Sequence, residues 1–170
     1  MNPQSRSQGG RRQPRQREKS EFDQKTIDLA RVTRVVAGGK RMRFRACVVI
    51  GDRKGRVGVG VAKGTDVQMA VEKASTSAKR HLVHVVLHGS TIPHAINLKF
   101  GAARVLLKPA PAGSGVIAGG AARAVLDLAG IRDVVSKMLG SKNKINNVRA
   151  VIMALSQLKP RTTKEKTVVE

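Results

Sequence analysis

A chain of 170 residues and 18.2 kDa has room for one ordinary domain or two small ones sharing a modest core. Its 33 Lys and Arg stand against 11 Asp and Glu, a formal charge of +22 that exceeds what solubility requires, so a polyanion is the natural partner. No apolar run is long enough to span a bilayer and no amphipathic segment carries Trp or clustered Leu and Phe, which argues against a membrane partner, while the single Cys47 excludes an intrachain disulfide and suits a reducing, cytoplasmic setting.

Residues 1–20, MNPQSRSQGGRRQPRQREKS, hold six Lys or Arg and no apolar residue after Met1, and predict a disordered basic arm. The Arg richness is that of a transit peptide, but the apolar face of such a helix is missing. From Glu21 the pattern turns globular. ARVTRVV (30–36) predicts a strand, Ala37-Gly38-Gly39-Lys40 a tight connection, and MRFRACVVI (42–50) a second strand. Alternation puts Met42, Phe44, Ala46, Val48 and Ile50 on one face of that strand, and Arg43 and Arg45 on the other, where a phosphate backbone has access.

Gly51 to Gly55 has hairpin-turn composition, and RVGVGVA (56–62) returns as a third strand. Val57, Val59 and Val61 are expected inward, with Gly58 and Gly60 outward, where bare backbone lets another chain approach. Thr65 and Gln68 have capping-box spacing, and Val67, Ala70, Val71, Ala74, Ala78 and Leu82 recur at helical intervals. Further on, HVVLHG and TIPHAINLKFGAARVLLKPA predict three strands, and PAPAGSGVIAGGAARAVLDLAG a Gly-rich loop entering a helix that ends at Gly130. IRDVVSKML predicts another strand. NKINNVRAVIMALSQLKP predicts a last helix capped by Asn143, with Val148, Val151, Ile152, Leu155 and Leu158 on one side, and from Arg161 the sequence is polar enough to fray.

GVGVAKG misses the dinucleotide fingerprint by one residue and lies inside a strand rather than between strand and helix, and no G-x-x-x-x-G-K-[ST] occurs. Residues 31–63 instead carry ten Lys or Arg and one acid, Asp52, a density whose self-repulsion calls for RNA or DNA. Phe22, Phe44 and Phe100 are the only aromatics, so contacts to phosphates and duplex shape are favoured over base stacking.

The rival signal is PAPAGSGVIAGGAARAV (109–125), which is similar to the phosphate loop of the galactokinase and homoserine kinase superfamily. Phosphoryl transfer also needs Mg²⁺ ligands and a catalytic carboxylate. No Asp or Glu stands between Lys73 and Leu126, leaving Asp127 and Asp133 in the region, so a small-molecule kinase is the weaker alternative. His81, His84, His88 and His94 lack metal-ligand spacing, and a Ser-His-Asp set has no better acid partner. Cys47 is expected to be a small core residue rather than a nucleophile. The composition points away from an enzyme, with no cofactor, metal or small-molecule substrate expected.

The blocks VVAGGKRMRFRACVVIGDRKGRVGVGVAKGTDVQMAVEKA and KPAPAGSGVIAGGAARAVLDLAGIRDVVSKMLGSKNKINNVRAVIMAL together resemble the bacterial small-subunit ribosomal protein five family across roughly 21 to 158. The resemblance implies an α+β chain with an RNA-binding domain at 21–86 and a C-terminal domain at 87–160, and it leaves uncovered the basic arm at 1–20 and the flexible tail at 161–170 that the composition predicts. The first domain is expected to be double-stranded-RNA-binding-like, with three strands and a helix, and the second to be a two-layer α/β unit with a left-handed βαβ crossover, an exception to the usual hand.

The resemblance also implies binding to small-subunit rRNA, support of subunit assembly, a place beside proteins four and eight near the messenger entry channel, and an influence on decoding accuracy. The Arg34 to Arg41 connection matches the family's inserting loop, and Gly115 and Arg123 match positions towards the protein-four interface. The Lys cluster of general duplex-RNA domains is missing at 62–66, which shifts recognition to the strands and the Gly38-Gly39 loop and disfavours a free-standing duplex-RNA regulator. The expected RNA contacts are Arg34, Gly38, Gly39, Lys40, Arg41, Arg43, Arg45, Arg53, Lys54, Arg56, Gly58, Gly60 and Lys63.

Overall fold

The computed structural model describes residues 21–160, so the expectations for the arm and the tail lie outside the described residues. β1 (Asp23–Val36) and β2 (Gly39–Gly51) form a long antiparallel ribbon, in register from Asp23 opposite Gly51 to Val36 opposite Gly39, with an irregularity between Thr26 and Asp28. β1 starts earlier than ARVTRVV predicts. Its first residues are mostly exposed and polar, and pairing with β2 rather than an apolar rhythm of their own makes them a strand. Gly39, at φ 126, supplies the backbone conformation that closes the ribbon.

β3 (Arg56–Gly64) pairs with β2, α1 (Val67–Arg80) crosses the sheet, and β4 (Leu82–His84) completes the order β1-β2-β3-β4. The expected capping box does not form: Asp66 is the N-cap, without a side-chain cap bond, and the Thr65 hydroxyl donates to Met69 Sδ at 3.3 Å. Leu82 leaves the helical series to begin β4.

The second sheet comprises β5 (Ile96–Phe100), β6 (Ala103–Pro109), β7 (Val116–Ile117) and β8 (Val134–Leu139) in the order β5-β6-β8-β7. β7 and β8 are parallel and joined through α2 (Gly120–Ala129), which ends at the left-handed Gly130; α3 (Lys144–Ser156) follows, its Asn143 cap accepting the Ile145 N–H at 3.0 Å. The chain is thus α+β, a four-stranded sheet with a helix followed by a second sheet with helices.

The CVVI run at 47–50 is apolar at every position because β2 is covered on both sides. Ala46, Val48 and Ile50 face α1, which presents only alanines, Ala70, Ala74 and Ala78, as its buried residues. Gly58, Gly60 and Gly64 of β3 lie beneath that helix. A Cβ on Gly60 would run into the Ala74 carbonyl, and one on Gly58 would stand 2.6 Å from the Ala78 carbonyl. The expectation that Gly58 and Gly60 face outward is therefore corrected: both are buried, and their bareness admits a helix rather than an RNA backbone.

The other side of the first sheet contributes Val49 and Val57 to a larger core with Leu107, Leu126, Val134 and Leu155. Backbone bonds also tie the turn between β2 and β3 to the end of α2. The Arg53 N–H donates to the Leu128 carbonyl and the Gly55 N–H to the Ala129 carbonyl, both at 3.0 Å. Gly130 approaches this turn so closely that a Cβ would enter the Arg53 carbonyl.

Asp52 shapes the turn. Its carboxylate accepts the N–H groups of Lys54 at 2.8 Å and Arg56 at 3.0 Å, and the Arg56 guanidinium at 2.7 Å. Burial raises its pKa, but the Arg56 side chain and these two N–H groups outweigh it and bring it from 3.8 down to about 2. A depressed carboxyl stabilises the fold above its unfolded pKa, and that contribution disappears as pH falls through the folded value. Asp52→Asn is expected to cost about 1 kcal/mol near neutrality, discounted for the half-exposed partner. In denaturant titrations across pH, the gap to the parent chain should narrow from 3.8 towards about 2; a gap that persists unchanged there would contradict the role of the charge.

Candidate nucleic-acid interface

Cross-strand pairing decides which cations meet. On β2, Arg41, Arg43 and Arg45 alternate onto the face opposite α1; Arg34 stands across from Arg41, Val32 from Arg43, and Lys63 of β3 from Arg45. Towards the ribbon tip this face forms a groove of about 340 Å³ lined by Val32, Thr33, Arg34, Val36, Arg41, Arg43 and Lys63. No acid lines it. Val32 and Val36 were not foreseen; they give the groove an apolar floor between cationic walls.

The Gly38-Gly39 turn and Lys40 form the exposed tip, and nothing lies within 4 Å of a Cβ built on either glycine. Arg45 differs from its neighbours. Its Nη2 bonds Asp28 Oδ2 at 3.3 Å, and the other Asp28 oxygen meets Lys144 Nζ at 3.4 Å. The sequence hides this pair because the irregularity after Thr26 sets which face Asp28 takes.

Arg53, Lys54 and Arg56 lie at the opposite end of the ribbon, roughly 40 Å from the tip at strand rise. Arg53 pairs with Asp23 at 2.9 Å, while Arg56 pairs with Asp52 and lies 5.3 Å from the Phe22 ring centre. The expected contact set therefore separates into groove and tip, a distant and partly ion-paired turn, and the two buried glycines.

The Gly-rich loop is held from within. Asp133, 5% exposed, accepts the N–H groups of Gly113 and Gly115 at 3.0 Å each. The Ser90 hydroxyl and these N–H groups lower its pKa. The loop amides thus already serve a carboxylate of the chain, and β7 separates them from α2. Gly115 is half-buried at φ 72 and Arg123 is exposed in the first turn of α2.

His81 Nδ1 lies 2.8 Å from the Ser77 carbonyl, and His94 Nε2 accepts the Lys159 N–H at 3.2 Å. Among the described residues no group of three or more His, Cys, Asp or Glu is placed to hold a metal ion, and no helix is long and apolar enough to cross a membrane. Cys47 is fully buried, and burial, reinforced by Asp28, pushes its thiol up to about 11, so it packs as a core residue.

Two joined α+β units carrying an exposed cationic groove have the build of a ribonucleoprotein component. Residues 22–86 match the family model described as ribosomal protein S5, N-terminal domain, and residues 98–166 match ribosomal protein S5, C-terminal domain. The chain belongs to the ribosomal protein S5 family and is a ribosomal protein of the small subunit.

Proposed function

We propose that the protein binds small-subunit rRNA through the groove at the ribbon tip, supports assembly of the subunit and contributes to decoding accuracy near the messenger entry channel. The observation that carries this is the convergence of Arg34, Arg41, Arg43 and Lys63 on one groove without a carboxylate. Lys40 and the Gly38-Gly39 turn extend the contact beyond the sheet, and Arg53, Lys54 and Arg56 offer a second, weaker patch. Division of labour follows the family: residues 21–86 carry the main RNA contact, and residues 87–160 add protein contacts, with Gly115 and Arg123 towards protein four and protein eight as another neighbour.

Binding to a small-subunit rRNA fragment, measured between about 50 and 200 mM salt, is the test. Four phosphates neutralised in the groove give log K a slope of about −3 or steeper against log salt. Affinity that stays flat over that range, or co-sedimentation with free RNA but never with small subunits, would overturn the proposal. For the accuracy role, an Arg123→Leu strain with normal misreading would count against it.

A further inference from the structure

A second cationic site lies where the two sheets meet. A cleft of about 560 Å³ opens between the start of β1 and the N-terminal ends of α2 and α3, and Lys25, Lys142 and Lys144 line it without any acid. α2 begins there at Gly120, with Gly119 as N-cap, no side-chain cap bond and no acidic residue in its first turn. Its first N–H groups have no intrahelical acceptor and, with the helix dipole, favour an anion.

An independent feature points to a ligand. Asn147, 4% exposed, also lines the cleft; its Nδ2 donates to the Ser141 carbonyl at 3.0 Å, while Oδ1, shielded from water, has no partner among the described residues. An orphan acceptor in the wall of a lysine-rimmed cleft calls for a hydroxyl donor attached to an anion. Ribose phosphate offers both.

The cleft is also in line with the groove. Lys25 stands opposite Val49 and Arg34 opposite Arg41, so both lie on the same face of the ribbon, roughly 30 Å apart at strand rise. Asp28 is the one acid between them on β1, and it is ion-paired from the groove side by Arg45 and from the cleft side by Lys144. We propose that the cleft is a second ribose-phosphate site, taking a nucleotide unit of the RNA that occupies the groove, with the phosphate on Lys25, Lys142, Lys144 and the first turn of α2 and a hydroxyl on Asn147. This rests on the groove being the RNA site.

Lysine acylation of the full chain, read by mass spectrometry with and without a small-subunit rRNA fragment, tests both sites at once. Lys63 reports on the groove, and Lys25, Lys142 and Lys144 on the cleft. All four should be protected several-fold by RNA. Protection of Lys63 with full reactivity of the other three would overturn the cleft and leave the groove standing, whereas an unprotected Lys63 would sink the groove itself. Protection of the cleft lysines by millimolar uridine monophosphate supports a site that takes the free nucleotide as well; protection by RNA alone assigns it to the polymer; and equal protection by the matching DNA strand overturns the assignment of ribose.

Gly120→Asp provides a check free of misfolding. Nothing lies within 4 Å of a Cβ there, and an acid in the first turn suits the helix dipole, so the fold should be retained. Its RNA affinity should fall about tenfold, and Lys142→Ala with Lys144→Ala should reduce the salt slope by about 2. Unchanged affinity and slope in both variants would refute the site.

Discussion

Gly60→Val is expected to lower the stability of the chain by at least about 3 kcal/mol, and its thermal midpoint by roughly 10 °C. The new side chain would enter the Ala74 carbonyl, with the Ala78 N–H 2.7 Å from its Cβ, and both obstacles are helix backbone that cannot rotate aside. Relief requires α1 to lift from β3, which would uncover Ala46, Val48 and Ile50 together. Gly38→Ala is the matched control, since no atom lies within 4 Å of its Cβ, and it should change stability by less than about 0.5 kcal/mol. Thermal melts of the free protein separate helix packing from RNA contact as the role of the strand glycines: a stable Gly60→Val chain that fails only in RNA binding would contradict the packing role.

Arg34→Ala, Arg41→Ala and Arg43→Ala combined should weaken binding to an rRNA fragment by about 100-fold or more near 150 mM salt and flatten the salt slope by about 3. The three side chains are exposed groove walls with no ion-pair partner among the described residues, so the variant should melt within about 1 kcal/mol of the parent. Arg53→Ala with Lys54→Ala should have the smaller effect, because Arg53 already pairs with Asp23 and the turn lies far from the groove. Isothermal titration on both variants decides the ranking; equal losses would mean that the two ends of the ribbon share the RNA evenly.

Where side chains carried a pattern, the sequence was informative. Alternation put Arg43 and Arg45 on a common face, Asn143 and Gly130 marked helix ends, and Val148, Val151, Ile152, Leu155 and Leu158 proved to be buried. Glycine has no such pattern. Gly58 and Gly60 carry no hydropathy, so nothing in RVGVGVA tells which side a helix will cover, and only the alanine-faced α1 makes the inward placement intelligible. Asp28 escaped notice because an irregularity upstream sets its face, and Lys25, Lys142 and Lys144 because they converge from segments more than a hundred positions apart.

A strand sandwiched between two hydrophobic layers belongs to neither. The family models divide the chain into halves, yet excising 22–86 would strip the cover from Val49 and Val57 and leave the Arg53 and Gly55 amides without their carbonyls. What is recognisable as a module in comparison is, physically, a fragment that ends in a greasy wound, and its partner half is the dressing.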